Sequence, residues 1–476
     1  MVWVTGRRGA RLKCPWSRGD TGVIMLFRTW LVVVALTAPG LRAQDTAEIR
    51  AALVNRVEEA RRAAGIVVGT LGPQGRSIVA TGKVSLEGGA APDENTVFEI
   101  GSITKVFTSL VLADMIERGE VKPGDPVGKY LPDTVKVPRF ETREITLLDI
   151  SMQLSGLPRM PSNFAPADPA NPYADYSEEK LFEFLSGYLL ERPPGEKYEY
   201  SNLAVGLLGN ALARRAGKPY EELVRERVLA PLGMTSTAIQ LSADQRRRLA
   251  PGYNRALDPV KNWDMGVLAG AGALYSTTAD MLKFLAAAMG SVQTPLAPAF
   301  QHMLTVRKPT GGQGVEIAMG WHIFKRYGSE IVWHNGGTGG YHSFAGYDPE
   351  KKTAVVVLCN TDLTIDDIGL HFLNAQYPSP KLPPGRKEIA LDEKTLDRYT
   401  GQYALSPEAV FVITREGTSL YAQLAKQPRL RLYAEKEGEF FYKMVDAQIS
   451  FVADAAGKVT HLMLHQGGRD LKADRK

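Results

Sequence analysis

Apolar residues in the first part of this chain change from helical spacing to strand spacing at a glycine. From residue 46 to residue 64 they recur every three or four positions, which is the spacing of one helix face, and the pattern stops at Gly65. Two β-branched runs follow at 66–71 and 77–84, separated by Gly-Pro-Gln-Gly. The pattern predicts a helix over 46–64 and then a β-hairpin.

The middle of the chain combines long apolar helices with short apolar strands. Helices are predicted over 102–118 and 201–216, and strands over 331–334, 342–347 and 353–359. The strands are joined by turns rather than by helices, so they should pair antiparallel. The predicted fold class is therefore α/β in the broad sense, of the α+β type, with an antiparallel central sheet flanked by helices.

The remaining segments predict how the chain divides into domains. Residues 120–200 are rich in Pro and Gly and mix short helices with loops, which favours a second, helical lobe beside a cleft. A proline-rich linker is predicted at 379–393. Short alternating stretches over 394–476 predict a small antiparallel β-barrel-like domain, after a first domain at 46–378.

Charge distribution argues against a nucleic-acid partner. The 476 residues have a formal net charge of +5, but residues 1–43 hold seven Lys/Arg and one Asp. The rest therefore has 50 basic and 51 acidic residues, a net charge of −1. A near-neutral body lacks the basic surface that binds a polyanion.

The first 43 residues are interpreted as a leader with a signal peptide at about 25–43. A basic start is followed by an apolar stretch too short to span a bilayer, and then by a possible cleavage point after Ala43. We expect a periplasmic or secreted protein without a stable membrane anchor; an uncleaved anchor is the alternative. After cleavage Cys359 would be the only cysteine left, and its apolar neighbours predict a small buried side chain.

A serine and a lysine three residues apart are the first candidates for chemistry. Ser102 opens an apolar helix, and Lys105 lies on the same face. A lysine in a buried helix has a depressed pKa unless it is paired, and such a lysine can activate a serine as a nucleophile. The alternative is an ordinary N-cap, as we expect for Ser177 and Lys180, which have the same spacing among acidic neighbours.

Two later segments add polar groups. Tyr200 and Asn202 lie where a loop enters a helix. The phenol of Tyr200 could act as a base, and the amide of Asn202 could orient a substrate. The alternative is that these residues serve only as aromatic packing and an ordinary helix cap. His334-Asn335-Gly336-Gly337 begins a glycine-rich turn between two strands. Backbone N–H groups there could complete an oxyanion hole, unless the turn is only a flexible hairpin.

Together these segments resemble the serine β-lactamase and penicillin-binding protein superfamily, in its class C β-lactamase-like branch with D-aminopeptidases and β-lactamase-like carboxylesterases. The resemblance extends over about residues 46–378, and the tail resembles a lipocalin-like β domain. It also rests on four further stretches: Phe98-Glu-Ile-Gly-Ser102, Gly119-Glu-Val-Lys-Pro-Gly-Asp-Pro126, Leu154-Ser-Gly-Leu-Pro158 and Pro231-Leu-Gly-Met234.

The resemblance implies a role for each site residue. Ser102 would be the acylated nucleophile, Lys105 its proton partner and Tyr200 the general base. Asn202 would orient the substrate, and the N–H groups of Ser102 and Gly337 would form the oxyanion hole. His334, Asn335 and Gly336 would belong to the substrate-binding strand. No cofactor and no metal are implied.

One departure from the family pattern affects the expected substrate. Class C β-lactamases have Lys-Thr-Gly where this chain has His334-Asn335-Gly336. A histidine is largely neutral at pH 7.5, so it attracts a substrate carboxylate less than a lysine does. We expect an exported serine hydrolase with carboxylesterase activity and weak β-lactam hydrolysis. The alternatives are a D-aminopeptidase or D-alanyl-D-alanine carboxypeptidase, or a non-hydrolytic penicillin-binding sensor; the oligomeric state stays open.

Overall fold

Residues 41–476 are described by a computed structural model, with side chains described from Thr46 onward. The predicted leader at 25–43 lies almost entirely outside the described residues. No helix among the described residues is both long and apolar enough to cross a membrane.

The helices of the described part of the chain vary from one turn to four turns in length. Their bounds are α1 (Leu41–Val54), α2 (Thr104–Glu117), α3 (Leu147–Ser151), α4 (Glu178–Gly187), α5 (Asn202–Ala216), α6 (Tyr220–Val224), α7 (Ala243–Arg247), α8 (Thr278–Ala288), α9 (Ala297–His302), α10 (Asp366–Leu373) and α11 (Glu393–Asp397). The predicted first helix is shorter at its C-terminal end than expected. It continues as one π-helical turn to Glu59, and Arg61 then takes a positive φ of 53°, which reverses the chain.

Most of the strands before residue 360 form one antiparallel sheet, and six short strands form three separate pairs. The bounds are β1 (Gly65–Gly72), β2 (Gly75–Gly82), β3 (Phe98–Glu99), β4 (Arg139–Phe140), β5 (Arg143–Glu144), β6 (Gly252–Tyr253), β7 (Pro259–Val260), β8 (Tyr275–Ser276), β9 (Lys308–Pro309), β10 (Val315–Ile317), β11 (His322–Arg326), β12 (Ser329–Gly337), β13 (His342–Asp348) and β14 (Thr353–Cys359). The main sheet has the order β2-β1-β14-β13-β12-β11-β10-β9. The predicted hairpin and the predicted meander are both confirmed.

Each face of the main sheet packs against its own set of helices. Along β12, Ile331 and Trp333 face a core that includes residues of α1 and α10. Val332 faces the larger core, which includes α2, α5 and α8. This larger core continues through the helices after residue 120, so the helical lobe and one sheet face share one apolar interior. Cys359 is completely buried on the α10 side, as predicted, and burial raises the pKa of its thiol to about 12.

The C-terminal strands close into an eight-stranded antiparallel barrel. They are β15 (Gly401–Ala404), β16 (Val410–Glu416), β17 (Ser419–Leu424), β18 (Leu430–Lys436), β19 (Glu439–Phe441), β20 (Ala447–Ala453), β21 (Val459–Gln466) and β22 (Arg469–Arg475). Each strand pairs with its neighbour along the chain, and β15 closes the barrel on β22. Aromatic side chains fill the interior, among them Tyr399, Tyr403, Phe440 and Phe451. The predicted β-barrel-like domain is therefore present.

Candidate active site

The nucleophile candidate lies at the start of the most buried helix of the sheet domain. Strand β3 leads into a 3₁₀ turn, Gly101–Ile103, which continues directly into α2. Every α2 residue from Thr104 to Met115 is buried. A helix that is apolar all round has to be covered on all sides, so the prediction of a buried α2 is confirmed. Ser102 is half-buried in the turn at the N-terminal end of this helix.

Lys105 lies within hydrogen-bonding distance of Ser102. Its Nζ is 3.0 Å from Ser102 Oγ and 2.6 Å from the carbonyl oxygen of Ala271. The side chain is 1 % exposed, and burial holds the pKa of its amine well below the ordinary value; the nearby positive charge of Arg159 lowers this pKa further. A lysine in this environment is able to give up its proton and then accept the proton of the serine hydroxyl.

Tyr200 completes the polar cluster around Ser102. It is hydrogen-bonded to Ser102, and Lys105 Nζ lies 4.8 Å from the centroid of its ring. Burial raises the pKa of the Tyr200 phenol, and the hydrogen bond to Ser102 offsets only part of that increase. In the resting site the phenol therefore keeps its proton, and Lys105 is the group whose pKa favours accepting one. The role of general base for Tyr200 stays a prediction.

A residue absent from the sequence-based prediction holds the Tyr200 segment in place. Gln153 has a positive φ of 60°. Its carbonyl oxygen accepts from the N–H of Glu199 at 2.8 Å, and its Oε1 accepts from the N–H of Ser201 at 2.8 Å. Tyr200 is thus fixed on both sides along the backbone. The only sequence signal is that Gln153 directly precedes the Leu-Ser-Gly-Leu-Pro stretch that matched the family.

Asn202 is the first residue of α5 and has one unused hydrogen-bonding atom. Its Nδ2 donates to the hydroxyl of Tyr173 at 3.2 Å. Its Oδ1 is buried and has no hydrogen-bond partner among the described residues. A buried acceptor without a partner is costly, so a substrate N–H that reached it would be bound favourably. This arrangement fits the predicted substrate-orienting role.

Close backbone contact joins β12 to the nucleophile turn and explains two glycines. A Cβ on Gly336 would lie 2.0 Å from the carbonyl oxygen of Ile100, and a Cβ on Gly101 would lie 2.9 Å from the backbone nitrogen of Gly337. The hydroxyl of Ser343 donates to the same Ile100 carbonyl at 2.8 Å. The backbone of Gly337 is thus held against the turn that carries the nucleophile, where an oxyanion hole is expected.

His334 lies on the cleft side of β12 as a neutral ring. It is 2 % exposed, and its ring centroid is 6.2 Å from that of Tyr200. Burial, reinforced by nearby His322 and Lys105, holds the pKa of His334 well below its ordinary value. Its Nδ1 donates to the carbonyl oxygen of Asn335, so Nε2 of the neutral ring is an acceptor.

The expectation for Asn335 needs correction. Successive side chains of a strand point to opposite faces, so Asn335 points away from the face that carries His334. Its Nδ2 donates to a carboxylate oxygen of Asp366 in α10 at 2.6 Å. Asn335 therefore fastens the sheet to α10, and its side chain is not part of the cleft.

His322 and Tyr198 extend the buried cluster beyond the predicted residues. Tyr198 Oη lies 2.9 Å from Nε2 of His322, and the ring centroid of His322 is 5.1 Å from that of His334. Burial lowers the pKa of His322 to about 4, so this ring is also neutral. No sequence motif marks His322, because it reaches the site through the pairing of β11 with β12.

The predicted decoy is an ordinary helix cap. Ser177 is exposed and caps α4, where its hydroxyl accepts from the backbone N–H of Lys180 at 3.3 Å. The amine of Lys180 is bonded to Asp175, not to Ser177. Identical spacing therefore gives a serine beside a buried lysine at Ser102 and a solvated cap at Ser177, and burial makes the difference.

Comparison with known proteins decides the family. Residues 50–375 match the family model described as Beta-lactamase. The chain belongs to the beta-lactamase family. The predicted resemblance is therefore confirmed. A second family model, described as a domain of unknown function (DUF3471), matches residues 385–475 of this beta-lactamase-family chain.

Curated relatives and solved structures agree with this assignment. The chain is 32 % identical over 287 residues to the D-alanyl-D-alanine-carboxypeptidase/endopeptidase AmpH of Escherichia coli K12, covering 57 % of this chain and 73 % of AmpH. It is 25 % identical over 402 residues to penicillin-binding protein 4* of Bacillus subtilis, and the match covers 79 % of this chain and 87 % of that protein. The crystal structure of a beta-lactamase/D-alanine carboxypeptidase from Yersinia pestis, complexed with citrate, superposes on this chain with a TM-score of 0.59 at 27 % sequence identity. The superposition covers 68 % of this chain and 98 % of that structure. The family match and the site geometry together make this chain a serine hydrolase of the β-lactamase and penicillin-binding protein type.

Proposed function

We propose that this protein hydrolyses ester and amide bonds through an acyl-enzyme on Ser102, with carboxylesterase activity and weak turnover of β-lactams. The observation that carries the proposal is the 3.0 Å contact between Ser102 Oγ and the buried, low-pKa amine of Lys105. Lys105 takes the hydroxyl proton while Oγ attacks the acyl carbonyl, and the proton then passes to the leaving group. Water releases the acyl group in the second half of the cycle.

The neutral histidines on the β12 side of the site support the substrate preference. His334 replaces the lysine of the class C pattern, and both His334 and His322 are held neutral by burial. A neutral strand gives a β-lactam carboxylate no charge to pair with, whereas a short-chain ester needs none. Turnover of esters should therefore exceed turnover of penicillins.

A D-alanyl-D-alanine carboxypeptidase is the second candidate, and two observations favour it. AmpH, similar over 287 residues, carries that activity in its name. The unpartnered Oδ1 of Asn202 offers an acceptor for a peptide N–H beside the nucleophile. A simple ester has no such N–H, so this acceptor adds binding energy only for amide-containing substrates.

We further propose export to the periplasm or outside the cell, from the predicted signal peptide at 25–43. Expression of the full chain followed by N-terminal sequencing of the product tests this. A mature N-terminus just after Ala43 in the exported fraction is expected. An intact leader on protein that stays in the cytoplasm would contradict it.

One purified preparation should be assayed in parallel on a 4-nitrophenyl ester, a chromogenic cephalosporin and a peptide ending in D-alanyl-D-alanine. Ser102→Ala should abolish turnover of all three, because the hydroxyl carries the acyl group. Ser177→Ala, the matched control at the exposed cap, should change none of them. Loss of activity in Ser177→Ala with retention in Ser102→Ala would refute the assignment of the nucleophile. A stable adduct without turnover would indicate the penicillin-binding sensor instead.

A further inference from the structure

An arginine beside Tyr200 has no acidic partner among the described residues. Arg159 is exposed, and its guanidinium carbon is 5.3 Å from the centroid of the Tyr200 ring. Among the described residues, no hydrogen bond or ion pair is made by its guanidinium. Arg143 and Arg192, by contrast, are paired with Asp149 and Glu199. Arg159 thus places a permanent positive charge at the cleft that no carboxylate of the described chain neutralises.

The backbone of Arg159 fixes it to the substrate-orienting amide. Its carbonyl oxygen accepts from the backbone N–H groups of Asn202 at 3.1 Å and Leu203 at 3.3 Å, at the start of α5. Asn202 carries the buried, unpartnered Oδ1. The Asn202 acceptor and the Arg159 cation are therefore joined by backbone hydrogen bonds at the start of α5, next to the Ser102 cluster.

The other basic side chains around Ser102 are not available to bind an anion. Lys105 is buried and engaged with Ser102 and the Ala271 carbonyl. His334 and His322 are buried neutral rings. A substrate carboxylate entering this cleft would find its counter-charge at Arg159, and not on β12, where the class C pattern has its lysine.

We propose that Arg159 binds a carboxylate in the acyl part of the substrate, so that the preferred acyl donors are peptide-like and carry a carboxylate near an amide N–H. The inference rests on the proposed function and deepens it, because it names the substrate class of the same site. Guanidinium binds carboxylate through two parallel N–H donors, which gives orientation as well as attraction. The amide N–H would bind Asn202 while the carboxylate binds Arg159.

Two esters with the same leaving group separate charge recognition from catalysis. The probes are 4-nitrophenyl hexanoate and the 4-nitrophenyl half-ester of adipic acid, which differ in a terminal carboxylate. They are compared in the wild-type protein, Arg159→Gln, Arg159→Lys and Arg469→Gln. Arg469 is an exposed arginine of the barrel strand β22, so its variant is a control for the same loss of charge.

Arg159→Gln should raise KM for the half-ester about three- to fivefold, as expected for one solvent-exposed charge contact, and leave KM for the hexanoate within about twofold. Any change in kcat should be the same for the two esters, because the Arg159 charge acts on the pKa of Lys105 whichever ester is bound. Arg159→Lys should retain part of the preference for the half-ester over the hexanoate, and Arg469→Gln should retain all of it. An arginine that served only to hold α5 in place would affect both esters equally.

Equal effects on KM for both esters, or no effect on KM for either, would overturn the proposal. So would an effect seen only when the carboxylate is placed on the leaving group, as in a 3-carboxy-4-nitrophenyl ester. If Arg159→Gln fails to fold, the proposal can be tested on the wild-type protein by measuring KM for both esters at low and at high salt concentration. The screening length falls from about 30 Å at 0.01 M to about 3 Å at 1 M salt, so KM for the half-ester should rise relative to the hexanoate. A constant ratio would overturn the proposal.

Failure of the proposed function would look different. In that case neither ester is turned over, with or without Arg159. The rate of Ser102 acylation, followed by mass spectrometry for the same ester pair, then reports the preference directly. A faster acylation by the half-ester that disappears in Arg159→Gln supports the role of Arg159, and equal rates contradict it.

Discussion

Burial determines which proton-carrying group in the site can act as a base. Lys105 loses solvation that would favour its charged form, so its pKa falls. Tyr200 loses solvation that would favour its phenolate, so its pKa rises. The same physical effect therefore prepares the amine to accept a proton and the phenol to keep one. This division of roles leads to a test based on pH.

We expect kcat/KM for a neutral ester to fall as acid protonates Lys105, since only the uncharged amine can take the proton from Ser102. The pKa of Lys105 is lowered, so activity is present above that pKa and is lost as the pH drops through it. Lys105→Ala should lower kcat/KM by about 10³ or more and remove this acid limb from the residual activity.

A pH profile from 4.5 to 9 on 4-nitrophenyl butyrate is the measurement. Lys180→Ala serves as the control, because Lys180 has the same spacing from Ser177 and lies on the exposed cap. Its profile should match that of the wild type. An acid limb that persists unchanged in Lys105→Ala would show that another group is the base.

Sequence reasoning identified the residues that carry chemistry more readily than those that position them. Ser102, Lys105 and Tyr200 were predicted from their spacing and their resemblance to a family, and the structure brings them together. Gln153 and His322 are not predicted, because each reaches the site through contacts with another segment: Gln153 through hydrogen bonds to Glu199 and Ser201, and His322 through the pairing of β11 with β12. No local pattern records such a contact.

At the scale of elements, the site depends on how closely a strand approaches a helix turn. Strand β12 runs so near the 3₁₀ turn before α2 that no side chain fits at Gly336. The sequence predicted a glycine-rich turn here, but it could not tell a flexible hairpin from a tight contact. The strand register decides this: Gly336 pairs with Ser343, whose hydroxyl is bonded to Ile100.

Two adjacent glycines provide a matched test of that contact. In Gly336→Ala, the new Cβ would lie 2.0 Å from the Ile100 carbonyl oxygen, so β12 must move away from the nucleophile turn. In Gly337→Ala, the nearest neighbour of the new Cβ is the His342 ring at 3.7 Å, which is an ordinary contact. Both variants keep every backbone N–H, so any difference between them reflects strand position.

Gly336→Ala should lower kcat/KM about 10²-fold or more, the usual effect of losing an oxyanion-hole donor. It should also lower the free energy of unfolding by about 1–3 kcal/mol, because the core is overpacked. Gly337→Ala should change the free energy of unfolding by no more than about 0.5 kcal/mol, as at other exposed positions. Ester kinetics and urea unfolding of both variants test this. Similar losses in the two variants would contradict the steric explanation.

At the scale of the whole molecule, the barrel contacts the catalytic part through residues that do not belong to the Ser102 cluster. Tyr433 and Phe441 of the barrel form a small buried cluster with Ala256. The connecting segment is fastened to the catalytic side, since the backbone N–H of Gly385 donates to the carbonyl oxygen of Glu59 at 2.8 Å. The alternating pattern predicted the barrel strands, but not this attachment, which depends on polar groups of distant segments.

The barrel therefore should not be needed for acylation. A chain ending at Gly385 keeps the whole Ser102 cluster and the bond between Gly385 and Glu59, and it uncovers Ala256. Ser102 in the truncated chain should react with a small acylating probe at a rate within about threefold of that in the full chain, since none of the lost contacts involves a residue of the Ser102 cluster. The midpoint of thermal unfolding should fall, because the Ala256 cluster loses its cover.

Mass spectrometry of the labelled protein gives the rate, and truncated Ser102→Ala is the control for labelling elsewhere. Tyr433→Ala in the full chain separates loss of the contact from loss of the barrel: it should lower the unfolding midpoint in the same direction while leaving acylation unchanged. If the folded, soluble truncation is not labelled at all, the barrel must contribute a group to the site. The contacts around Ser102 come from α2, the segment before α5 that carries Tyr200, β12 and the turn at Ala271, so we expect labelling to persist.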